Sequence, residues 1–157
     1  MFNKEHFCHL LGIESIVRES VNKLELRNYK GRKGWNNIKS GTLDIKFLKR
    51  LNLRKFKNVK AKYVYFYLLP VLIEQPFGIS FDKTKVIPPT DIDCELLFYN
   101  IHEDAIIHLG LQRQRDKSYY FPKTFFVEKL TTTTKGDKYI QNQERIDVHK
   151  ETRTIML

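Results

Sequence analysis

Two histidines are candidates for proton chemistry: His9, three residues after His6 near the start, and His108, between Ile107 and Leu109. Histidine is the natural acid or base near neutral pH. Arg113 and Arg115 follow His108 at the end of the same apolar stretch and offer fixed positive charge. A base, an acid, and cations for the charge gathering on a phosphoryl group suffice for metal-independent RNA cleavage. The ribose 2′-hydroxyl is then the nucleophile, a cyclic phosphate is left, and DNA is not cut. Each residue also has a structural reading: His9 as a surface or packing residue, His108 as a buried sheet histidine, the arginines as a solvated strand end.

A second group lies in Asn28 to Gly41, where Lys30, Arg32 and Lys33 surround Trp35 among glycines and asparagines. Turn formers mixed with cations around one aromatic suggest a loop that grips phosphates while Trp35 stacks on a base. The competing reading is a solvated loop whose tryptophan plugs the edge of the core. A third group, Asp91, Asp93 and Glu95, alternates so that one face of a strand would present three carboxylates to magnesium. No lysine follows Glu95 at two residues, where Leu97 sits, so the usual acidic-plus-lysine grouping is absent and neither metal nor cofactor is expected.

Charge supports a polyanionic partner. Among 157 residues, 28 Lys plus Arg oppose 18 Asp plus Glu, for a net charge of +10. Such a surface gains affinity for nucleic acid through counterion release, although a basic surface also keeps a protein soluble. Between Arg27 and Lys62, Asp44 is the single acid among the cations. Cys8 and Cys94 are far apart and form no CxxC pair, so thiols in a reducing cytosol are expected, with no zinc framework and no signal peptide. The longest apolar run, Tyr63 to Ile73, is interrupted by Pro70 and too short to span a bilayer.

The elements that must position these residues follow from periodicity. Asn3 caps a helix over Lys4 to Leu11 that Gly12 ends in the left-handed conformation. Val21 to Leu26 fits strand or helix equally. Thr42 is expected to cap a helix over Leu43 to Leu51, and Lys55 to Ile73 follows a 3.6 period that ends or kinks near Pro70. Ile79 to Phe81 is a short strand candidate. Then Cys94 to Tyr99, Ala105 to Gln114, Tyr119 to Leu130 and Tyr139 to Val148 read as four successive strands, an antiparallel meander with helices on one face. The expected fold is α+β, N-terminal helices packed on a C-terminal four-stranded antiparallel sheet. One domain over residues 1–150 and a tail over 151–157 are expected. In Tyr119 to Glu128, aromatic and β-branched residues alternate with Lys, Thr and Glu, so one face would be buried and the other free for chemistry.

The runs Phe7-Cys8-His9-Leu10-Leu11-Gly12, His108-Leu109-Gly110-Leu111, Tyr120-Phe121-Pro122-Lys123-Thr124-Phe125-Phe126-Val127-Glu128 and Tyr139-Ile140-Gln141-Asn142-Gln143 occur in this order. Together they resemble phage-associated barnase/EndoU/colicin/RelE-like nuclease domains across roughly residues 2–145. Two features depart from the pattern: the chain begins almost at the His9 motif, and Lys123 stands where an acidic residue is common. The resemblance implies a helix-plus-antiparallel-sheet fold and an endoribonuclease activity of phage or mobile-element origin. It also implies that His9 reaches the sheet edge as acid or base and that Thr124 and Gln143 offer a hydroxyl and an amide to the phosphate. Tyr120 would stack on a base or donate a proton, and His108 is the second acid or base candidate. Lys123 makes the hairpin more basic and suits phosphate contact. RNA, and an inhibitor or immunity protein, are the partners such a toxin-like enzyme implies, in the cytoplasm of a bacterial host. The alternative is a module that binds nucleic acid or a host protein on the same fold without cleaving.

Overall fold

The structure is a computed structural model and describes residues 3–151. Of the expected tail, Glu151 alone falls inside that range; residues 152–157 lie outside it.

The helical half begins where the Asn3 side chain accepts a hydrogen bond from the Glu5 amide, starting a 3-10 turn, Lys4–His6, that runs into α1, Phe7–Leu10. Gly12, at φ +70°, turns the chain into α2, Ile13–Val17, a conformation a residue with a Cβ rarely adopts. Val21 to Leu26 is neither of the expected elements. It is mostly turn and leads into a 3-10 helix, Glu25–Tyr29.

Asn28 to Gly41 is largely a helix, α3 (Gly31–Lys39), not the expected loop. Packing explains the difference. Gly34 is buried, and a Cβ there would lie 2.6 Å from Cys8 Sγ and 2.7 Å from the Tyr29 carbonyl carbon. The glycine that resembles a turn former allows α3 to approach α1.

Helix α4 spans Ile45–Leu51 and is capped by Asp44, whose carboxylate accepts from the Phe47 amide at 2.6 Å; Thr42 pairs instead with the Ser40 hydroxyl at 2.9 Å. Asn52 caps α5, Leu53–Tyr65, by accepting from the Lys55 amide at 3.0 Å. The helical period of Lys55 to Ile73 is realised with a break at the 3-10 turn Phe66–Leu68, and α6, Leu69–Glu74, carries Pro70 in its first turn. Proline is tolerated there because that amide has no intrahelical partner.

The sheet is antiparallel and has five strands in the order β4-β3-β2-β1-β5: β1 Phe77–Ser80, β2 Leu96–His102, β3 Ala105–Arg113, β4 Tyr120–Lys129 and β5 Glu144–Ile146. Strands β2, β3 and β4 form the expected meander. The fourth expected strand does not extend it. Tyr139 to Asn142 is turn, and β5 pairs with β1 on the other side of the sheet. Leu130, Tyr139 and Ile140 pack against the cluster of Ile79, Leu97, Tyr99 and Ile106, so the chain after β4 spends its apolar residues covering a sheet face rather than continuing the ladder.

Both faces are therefore covered, which corrects the expectation of one free face. On the other side, Leu10, Tyr65, Leu68, Leu69 and Leu72 pack on Ala105, Ile107, Leu109 and Phe125. Cys8 and Cys94 are free thiols, pushed by burial up to about 11 and about 12. Among the described residues no helix is long and apolar enough to cross a membrane.

Candidate functional site

Helix α1 lies along the edge strand β4. His6 stacks on Phe121 with ring centroids 5.7 Å apart, Phe7 meets Phe66 edge to face, and Phe66 meets Phe125 in the same way at 5.2 Å. This aromatic chain fixes where the next residues of α1 fall. His9, exposed on α1, and Thr124, half-buried on β4, line the same two clefts. One, of about 440 Å³, lies toward α2 and α5 and is bounded by Gly12, Ser15, Arg18, Lys55 and Lys62, with Glu14 and Glu19. The other, of about 540 Å³, lies toward the segment before β2 and is bounded by Pro89 to Asp93, Lys123 and Tyr139.

A β-bulge sets the direction of Thr124. Gly110 pairs with Thr124 and Leu111 with Pro122, leaving Lys123 without an opposite residue. Such an extra residue bends a strand and re-aims its side chains, and a bulged edge strand also accommodates Pro122. Gly110 makes the close pairing possible. A Cβ on it would lie 2.5 Å from Thr124 Cγ2 and 2.9 Å from Cys94 Sγ. Gly110→Ala is expected to lose about 1–3 kcal/mol of stability through overpacking and to displace Thr124, checked by a lowered denaturation midpoint.

The cations of the α2–α5 cleft are unequal. Lys55 pairs with Glu19 at 2.8 Å, and Arg54 approaches the same carboxylate at 3.7 Å. Among the described residues no carboxylate lies within 4.0 Å of Arg18 or Lys62. Lys62 is half-buried, and desolvation holds its ammonium below the usual lysine range. None of Arg18, Lys55 and Lys62 stands out in the sequence as a site residue. A signal was nevertheless available: Lys55, Val59 and Lys62 are spaced to share one face of α5, with Val59 against Gly12.

Lys123 donates to Asp93 at 2.7 Å and to Gln112 Oε1 at 3.2 Å, and Lys83 lies 3.5 Å from Asp93. Lys123 beside it holds the Asp93 carboxyl below its ordinary value. Asp91, Asp93 and Glu95 precede β2 instead of alternating along it, and Glu95 is engaged by Gln112 and lies 3.8 Å from Arg113. Among the described residues no three His, Cys, Asp or Glu side chains are grouped to hold a metal.

Other residues singled out in the sequence lie away from both clefts. Tyr120 accepts from Arg113 at 2.8 Å at the far end of the β3–β4 hairpin, and Arg115 is exposed in the turn beyond. Both ends of the Gln143 amide are used on backbone, accepting from the Asp82 amide at 2.8 Å and donating to the Asp82 carbonyl at 3.0 Å. Trp35 is half-buried and meets Phe7 edge-on at 5.0 Å; Arg32 pairs with Glu5 at 3.4 Å, while Lys30 and Lys33 are exposed on the α3 side.

His108 is fully buried and stacks on Phe126 at 4.4 Å, with Nε2 3.7 Å from Glu128. Burial lowers its pKa, and the Glu128 carboxylate offsets only part of that effect. The fold thus favours neutral His108, whereas the unfolded chain takes up the proton near 6.5. Stability is therefore full above that pH and declines as pH falls below it, until the lowered folded value is passed. His108→Phe is expected to flatten this acid-side loss, measured by urea unfolding across the pH range.

A net charge of +10 and helices that carry a histidine to a cation-lined edge of an antiparallel sheet define a basic α+β domain with a polar cleft at the sheet edge. The family model described as phage-Barnase-EndoU-ColicinE5/D-RelE like nuclease 4 matches residues 1–154, and the chain belongs to that family. Comparison with curated proteins and with solved structures returned no match.

Proposed function

We propose that the protein is a metal-independent endoribonuclease of phage or mobile-element origin. The observation that carries this reading is the meeting of His9 and Thr124 at two adjoining clefts bordered by Arg18, Lys55, Lys62 and Lys123. His9 takes the proton from a ribose 2′-hydroxyl, whose oxygen attacks the adjacent phosphorus. The Thr124 hydroxyl and the cations stabilise charge on the phosphoryl oxygens, where such stabilisation is usually the largest catalytic contribution. The product carries a 2′,3′-cyclic phosphate. A ribonuclease of this kind arrests the growth of a cell that makes it, so an inhibitor or immunity protein is a partner in this reading.

The test is incubation of the pure protein with structured RNA and with single-stranded DNA, in EDTA and in magnesium. The expected result is RNA cut in EDTA to cyclic phosphate ends, with DNA intact. Cleavage that requires magnesium overturns the mechanism, and RNA binding without cleavage under every condition identifies a binding module instead.

A further inference from the structure

Cleavage by 2′-hydroxyl attack needs a second proton-handling group, because the departing 5′-oxygen is a poor leaving group until it is protonated. The residues that the sequence offers for this step are elsewhere: His108 is fully buried, and the Tyr120 hydroxyl is held by Arg113 outside both clefts. Of the groups that share the α2–α5 cleft with His9, Lys55 is committed to Glu19, and an arginine such as Arg18 does not release its proton in proteins. Glu14 also lines this cleft, and a carboxylate repels a phosphate rather than contacting it. Lys62 is different. It is half-buried, has no carboxylate within 4.0 Å among the described residues, and sits near the end of α5. Buried Phe56, the Val59 contact with Gly12, and the Tyr65 hydroxyl donating to Asp104 at 2.7 Å hold that helix in place.

We propose that Lys62 is the second catalytic residue of the cleft: its ammonium contacts the scissile phosphate and delivers the proton to the departing 5′-oxygen. The proposal rests on the ribonuclease reading. As His9 takes the 2′-hydroxyl proton, the 2′-oxygen bonds to phosphorus and the phosphorus–5′-oxygen bond breaks. The Lys62 proton moves to that oxygen. The products are a cyclic phosphate, a 5′-hydroxyl, a neutral Lys62 amine and a protonated His9, and solvent then takes one proton and returns the other. Desolvation makes Lys62 give up its proton more readily than an exposed lysine does, which suits the task.

Lys62→Met, Lys62→Arg and, as a control outside the cleft, Lys57→Met test the proposal on an RNA with one cleavable linkage, in EDTA. Lys62→Met is expected to lower kcat about 10²–10⁴-fold with a smaller change in KM. Lys62→Arg keeps the charge and is not expected to restore the rate, because guanidinium does not deprotonate. The wild-type rate falls at alkaline pH as Lys62 loses its proton, and that limb disappears in both variants. The decisive substrate has sulfur in place of the bridging 5′-oxygen, since a thiolate leaves without protonation. It is expected to rescue Lys62→Met and not His9→Ala. Equal cleavage by wild type and Lys62→Met, or no rescue by sulfur, overturns the role of Lys62 alone. No cleavage of either RNA by the wild-type protein overturns the ribonuclease reading and the role of Lys62 with it.

Discussion

Replacing His9 with alanine is expected to leave a folded protein and, under the proposed ribonuclease function, to abolish RNA cleavage. The folding half of this expectation follows from the position. His9 is exposed, its side chain holds no hydrogen bond among the described residues, and alanine is the best helix former for α1. The contact that ends the helix is made by backbone, the Gly12 amide donating to the His9 carbonyl at 2.9 Å, and survives the substitution. Stability should stay within about 0.5 kcal/mol of wild type. The catalytic half follows from proton transfer, whose removal is worth about 10²–10⁴-fold in rate. The measurement pairs RNA cleavage in EDTA with urea unfolding of the same sample. Retained cleavage would remove His9 from the mechanism, and a large fall in the unfolding midpoint would reassign it to structure.

Phe125→Ala is expected to have the largest effect on stability. Phe125 is fully buried, pairs with Leu109 across the hairpin, and receives Phe66 edge to face. It joins β4 to the helical layer one residue from Thr124, so its loss acts on both the core and the site. Truncation of such a phenylalanine costs about 3–5 kcal/mol, against a total of roughly 5–15 kcal/mol for an ordinary domain. The thermal midpoint should fall by roughly 6–20 °C, and cleavage should fall even where the protein remains folded, because Thr124 loses its anchored neighbour. Phe125→Leu keeps most of the buried surface and should lose much less. A small change in midpoint for Phe125→Ala would show that α1 and α5 do not depend on this contact to sit on β4.

Local patterns were legible in the sequence because their causes are local. The left-handed turn at Gly12, the helical period through Lys55 to Ile73 and the β2–β3–β4 meander each arise from side-chain spacing or backbone preference over a few residues. Misreadings arose where a residue's role depends on something distant. Gly34 resembles a turn former until Cys8 lies against it, and Tyr139 and Ile140 resemble a strand until they are needed to cover Phe126 and its neighbours. The Gln143 amide resembles a phosphate ligand until the Asp82 backbone takes both of its ends.

The same division holds for the candidate site. Sequence by itself determined a basic α+β domain, a histidine on the first helix and a threonine on an amphipathic strand, and enough motif order to point to the nuclease family. Only the tertiary structure decided which polar residues meet. It brought His9, Thr124 and Lys123 together and added Arg18, Lys55 and Lys62, while His108 lies buried, Tyr120 is held by the Arg113 side chain and Gln143 bonds to the Asp82 backbone. The physical reason is that convergence is set by the register of β4, the bulge at Lys123 and the docking of α1 on the sheet edge. Each depends on burial of surfaces far apart in the chain, which no local pattern encodes.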